Sequence, residues 1–197
     1  MIDNFKQIKA HLNFESDDDY YFVQILMRSK DNPELGSNNR LIKTYSIKSI
    51  EELNKKELEI MKLCNVFNAR AYIHFTKRSF NKVSLLMMKE LCDRITNDQC
   101  SEINRIFNSA SGNYSGNKTF IVDIDRKVSY EEDIKYIMEI INHINSECSP
   151  IGDKWITTLN TPNGYHIITK PFNVQQFKMK YADIDIHKNN PTILYTP

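Results

Sequence analysis

The sequence predicts an α+β fold, and three observations predict it. Runs of alternating apolar and polar residues, rich in β-branched and aromatic types, recur along the chain as strands do. Between them lie segments with apolar residues at helical spacing, several opened by a capping residue. The 197 residues are 41% hydrophobic with only 5 Gly and 6 Pro, which supplies core material for one domain and little for long flexible linkers. In order, Tyr20–Ser29 and Arg40–Lys48 read as strands joined by the turn-rich Lys30–Asn39. Ser49 caps a helix over Ile50–Val66, Ala69–Lys77 is a strand, and Ser79 caps a helix through Ile95. A weaker helix is expected over Gln99–Phe107. Ser109–Asn117 has the composition of a mobile lid or subdomain junction.

The second half is more regular. Lys118–Asp125 is a strand, and Ser129 with Glu132 forms a capping box before a helix to Asn145. Trp155–Thr161 and Tyr165–Lys170 are strands flanking the turn Pro162-Asn163-Gly164. Asn173 caps a short helix to Lys180, and Asp183–His187 is a strand that Thr192–Tyr195 pairs with or extends. The resulting order, β-α-β-β-α-β, is the split pattern of ferredoxin-like and RNA-recognition-like folds. The expected division is an N-terminal αβ unit over residues 1–110 and this sheet over 118–197, packed as one compact domain.

Composition narrows the function. Lys and Arg number 26 against 25 Asp and Glu, so bulk charge does not coat nucleic acid, and phosphate binding must come from local clusters. Mean hydropathy is −0.51 and no apolar run approaches the roughly 18 residues of a membrane span. The first twenty residues lack the apolar region of a signal peptide, so a cytoplasmic protein with reduced thiols and no membrane partner is expected. The four cysteines form no C-x-x-C pair, which argues against structural zinc.

Three segments carry candidate chemistry. In Phe120–Asp125 (FIVDID), alternation sets Phe120, Val122 and Ile124 on one face and Asp123 and Asp125 on the other, where the two carboxylates repel unless a cation neutralises them. In Thr161–Thr169 (TPNGYHIIT), Gly164 lets backbone approach a phosphate, and His166 can donate to a phosphate oxygen. In Ala182–His187 (ADIDIH), Asp183, Asp185 and His187 share one face. A spatial strand order of 4-1-3-2 would put these segments on adjacent strands. Three carboxylates would then meet a histidine on an open face that suits Mg²⁺ or Mn²⁺ with nucleotide phosphates. Separately, Arg70, Tyr72, His74 and Thr76 alternate onto one strand face ahead of Lys77 and Arg78. Arg70, Lys77 and Arg78 form a candidate nucleic-acid patch with an aromatic for stacking.

A hydrophobic strand ending in D-x-D, then T-P-x-G-x-H entering another strand, then a hydrophobic–Asp strand, resembles the archaeo-eukaryotic primases, above all the primase-polymerases of phages and plasmids. The resemblance covers Lys118–Pro197. It implies that Asp123, Asp125 and Asp185 act as catalytic metal ligands for Mg²⁺ or Mn²⁺, with Asp183 the fallback third acid. It also implies that His166, with Asn163 and Gly164, binds a nucleoside triphosphate. Gly164 stands where many relatives have Ser, and Tyr165 where many have a second Gly. The implied function is a template-dependent nucleotidyltransferase acting on DNA or RNA, with replication proteins as possible partners. The competing expectation is a non-catalytic nucleic-acid- or protein-binding module of mobile-element origin, a replication accessory or host-factor inhibitor.

Overall fold

The computed structural model describes residues 1–99, 103, 105–114, 116, 118–125 and 129–197. Among the described residues, six α-helices and two antiparallel sheets make an α+β architecture. The strands are β1 (Ile2–Asp3), β2 (Asp19–Met27), β3 (Arg40–Ile47), β4 (Arg70–Ile73), β5 (Arg78–Ser79), β6 (Phe120–Ile124), β7 (Trp155–Asn160), β8 (Tyr165–Thr169), β9 (Asp185–Lys188) and β10 (Thr192–Thr196). The helices are α1 (Phe5–Lys9), α2 (Ile50–Val66), α3 (Phe80–Thr96), α4 (Ile106–Asn113), α5 (Tyr130–Ser146) and α6 (Val174–Lys180).

The first sheet runs β1-β10-β4-β2-β3, with β5 pairing the start of β2. The second runs β7-β8-β6-β9, so β6 lies between β8 and β9. Local chemistry accounts for the helix starts. The side chains of Ser49, Ser79 and Ser129 each accept from the backbone N–H three residues on, and Asn173 accepts from Gln175 and Gln176. Alternation along β6 divides the second sheet. Phe120, Val122 and Ile124 pack with Ile137, Ile140 and Phe177 of α5 and α6. Ile121, on the opposite face, joins Leu159 and Ile168 in the core formed by the first sheet with α2. The two sheets therefore share a core, and the face of β6 that carries Asp123 is the face turned to the first sheet.

Several expectations are corrected. Thr192–Thr196 does not pair with the preceding strand; it crosses into the first sheet between β1 and β4, so the sheets do not divide at residues 110–118. The segment 109–113 is part of α4, not a lid: Ser111 is fully buried and its hydroxyl meets the Tyr20 hydroxyl at 2.8 Å. Tertiary packing there overrides a loop-like composition. The expected helix over Gln99–Phe107 lies partly outside the described residues, and α4 begins only at Ile106. Short β1 and α1 had no signal in the alternation. The strand expected over Ala69–Lys77 stops at Ile73. Ile73 pairs with Val23 and Arg78 with Tyr20, so four residues of one chain face two of the other. The surplus turns His74, Thr76 and Arg78 inward.

That inward turn removes the proposed basic patch. Arg78 is 1% exposed and donates from Nε to the Ser111 carbonyl at 3.0 Å and from Nη1 to the Thr76 carbonyl. Lys77 pairs with Asp19 at 2.8 Å and with Glu15 at 3.2 Å. Arg78 is thus a core residue, and Arg78→Ala should lower unfolding free energy by roughly 3 kcal/mol, read in a urea titration, because it leaves a cavity and unpaired carbonyls. Burial, with the Arg78 charge nearby, holds the His74 imidazole down to about 3. The unfolded chain binds a proton there near pH 6.5 and the folded chain does not. Stability should therefore fall as pH drops from about 6.5 towards 3, by at most about 1.4 kcal/mol per pH unit from this group. His74→Phe should remove that part of the slope.

Candidate active site

Strand register assembles the site. Asp123 on β6 stands directly opposite His166 on β8 and Asp185 on β9, and cross-strand partners point to the same face. His187 pairs with Ile121, two residues along, and shares that face. The Asp123 carboxylate lies between two imidazoles. His166 Nε2 is 3.4 Å from Oδ1 and His187 Nε2 is 3.5 Å from Oδ2. The His166 contact is the main reason the Asp123 carboxyl is held below its usual range, against the opposing effect of burial.

His166 is oriented from the other sheet. Its Nδ1 is 2.8 Å from the hydroxyl of Thr192, a buried residue on β10. A carboxylate only accepts, so Nε2 carries the proton towards Asp123, and in the neutral ring Nδ1 accepts from the Thr192 hydroxyl.

This face opens into a cleft of about 550 Å³ between the sheets. Asp123, Asp125, His166, His187 and Asn163 line one wall; Arg28, Lys30, Arg70 and Tyr72 line the other. Arg70 reaches the wall at the end of β4, where its Nη2 is 2.7 Å from Asp31 Oδ1. Burial raises the Tyr72 phenol, with Arg28 and Arg70 opposing. A second cavity of about 180 Å³ lies beside Asp123, lined by Asp123, Asp125, Asp183, Asp185, Tyr136 and Ile184.

Four carboxylates and no Lys or Arg line that small cavity, an oxygen-donor set suited to a hard divalent cation. Among the described residues, no side chain forms a hydrogen bond or ion pair with the carboxylates of Asp125, Asp183 or Asp185. Among the same residues, no three His, Cys, Asp or Glu side chains already stand as a metal-holding group. Asp123 is instead engaged by its two histidines.

The structure thus brings Asp123, Asp125, Asp185, His166 and Asn163 to one region, with Asp183 on the adjoining cavity. Gly164 is buried in the turn, its carbonyl accepting from the Thr161 N–H at 2.9 Å. Of the basic trio, Arg70 reaches the cleft, whereas Lys77 and Arg78 are engaged elsewhere. Sequence reasoning missed Arg28, Lys30 and Thr192, and noted His187 only as a face-mate of Asp185. Its period-two spacing from Asp185 was the available signal; the other three come from strands paired far along the chain. Compared with family models, curated proteins and solved structures, the chain shows no significant match.

Thr192→Val keeps the side-chain shape and removes the hydroxyl. The expected cost is about 1–2 kcal/mol, from the lost bond and the unpaired Nδ1. The ¹⁵N shifts of the His166 ring should move towards a tautomer mixture; unchanged shifts would show that Thr192 does not set the tautomer.

Proposed function

We propose that this protein is a primase-polymerase-like nucleotidyltransferase, with the second sheet, α5 and α6 forming an RNA-recognition-like unit. The observation that carries the reading is register: Asp123, His166 and Asp185 stand level on three adjacent strands, facing a cleft with a cationic opposite wall. Element order β6-α5-β7-β8-α6-β9 and spatial order β7-β8-β6-β9 support it as well, since these are the orders such a unit has.

In this reading Asp123, Asp125 and Asp185 hold divalent Mg²⁺ or Mn²⁺, with Asp183 on the same cavity. Such ions supply charge neutralisation at the attacking and leaving oxygens. His166, fixed by Thr192, donates to a phosphate oxygen of the incoming nucleoside triphosphate, and Asn163 lies within the same wall. Arg28, Lys30 and Arg70 attract the phosphates of a template or primer strand, and the Tyr72 ring beside them offers a face for a base. The hydroxyl oxygen of the strand end bonds to the α-phosphorus, the bond to the bridging oxygen breaks, and pyrophosphate leaves as the hydroxyl proton passes to water.

Mn²⁺ together with a nucleoside triphosphate should raise the melting temperature, by the equivalent of about 2.7 kcal/mol at a hundredfold excess over the dissociation constant. Asp123→Asn should abolish the metal-dependent part of that shift, and His166→Ala should weaken the nucleotide part. Replacing Arg28 and Arg70 by Ala should flatten the salt dependence of single-strand binding, because fewer phosphates are neutralised. Absence of a shift in the wild type, with no primer synthesis or extension, would reject the enzyme and favour the binding module.

A further inference from the structure

The proposed reaction makes no use of α3, which turns an apolar stripe outward. One face of this helix is held: Phe80, Val83 and Met87 pack with Tyr20, Phe22 and Ala110. On a different face, Leu85 is 66%, Met88 62% and Ile95 53% exposed, and Cys92 is exposed between them. The spacing 85, 88, 92, 95 is the alternating three-and-four step of a helix that packs lengthwise against another helix. Such a stripe on a well-ordered helix marks an interaction surface.

We infer that this stripe is the contact between two copies of the chain, their α3 helices packed antiparallel across a two-fold axis. The stripe is self-complementary in that arrangement. An axis level with Glu90 sets Leu85 against Ile95 of the second copy and Met88 against Cys92 of the second copy. Charge selects the direction. Lys89 and Asp93 are exposed on the same flank of the stripe, and among the described residues neither side chain has an ion-pair partner. In antiparallel packing, equal flanks meet head to tail, so each Lys89 faces the other copy's Asp93 and the two-fold axis makes two such pairs. Parallel packing separates these charges and also aligns the helix dipoles unfavourably. Glu90, by contrast, is already paired with Arg94 within the helix at 2.7 Å.

Sedimentation equilibrium of the full chain over a range of concentrations tests the inference. The expected mass rises from 23.2 kDa to twice that value. Met88→Lys, at an exposed position, should leave the thermal melt unchanged and weaken association by roughly tenfold or more, the effect of losing about 1.4 kcal/mol. Lys89→Glu and Asp93→Lys should each weaken it by about fivefold, since two symmetric pairs become repulsive. The double variant should recover the wild-type constant. A mass of 23.2 kDa at every concentration would overturn the inference and assign the stripe to a different protein. Association insensitive to Met88→Lys, or not recovered in the double variant, would overturn it equally.

Discussion

The crossing of β10 into the first sheet is the constraint on which the rest of the structure depends. This strand follows β9 directly in the chain, yet it pairs with β4 and β1, and so ties the second sheet to the first through covalent chain. Asn4 fastens the same junction from the other side. Its buried side chain donates to the Ile193 carbonyl on β10 and the Asn160 carbonyl on β7, at 2.9 and 3.0 Å. Because β10 also carries Thr192, the element that joins the sheets is the one that orients His166. Loss of the junction would separate the walls of the cleft and release the imidazole together.

What could be read along the chain was what neighbours in sequence decide. The α2 limits follow from the Ser49 cap and the apolar spacing behind it, and the start of α5 follows from Ser129 and Glu132. The alternation in FIVDID likewise placed Asp123 on the face opposite Val122. What could not be read was decided by distant partners. Nothing in Ala69–Lys77 discloses that four residues must lie opposite two of β2, and this mismatch buries Arg78 and His74. The Gly- and Ser-rich stretch around Ser111 looks like a loop until Tyr20 supplies its hydroxyl. Asp123, Asp185 and His166 were visible as candidates, whereas Arg28 and Lys30 entered only when the first sheet closed over them.

The electrostatics of the cleft are those of a divided surface. Fixed cations line one wall, and carboxylates with imidazoles line the other, so a ligand carrying both phosphate and metal finds complementary charge on each side. Asp123 is central to that balance. Its carboxylate is satisfied by His166 and His187 in the absence of any cation, which lowers the like-charge repulsion expected from four neighbouring acids. In the proposed reaction, the same two imidazoles become available to phosphate oxygens as metal takes over neutralisation of Asp123.

The pairing of β1 with β10 has a mechanical consequence. Ile2 lies opposite Thr196 and Asp3 opposite Tyr195 in an antiparallel register. Tension applied through Ile2 and Thr196 therefore acts along the inter-strand hydrogen bonds rather than across them, since antiparallel bonds run perpendicular to the strands. Bonds loaded in this way open one after another, as a zipper does, with little resistance at any step. A pull on these residues would strip β10 from the edge inwards and reach Thr192 before disturbing the cores around α2 and α5. The site would thus yield to force well before the protein unfolds.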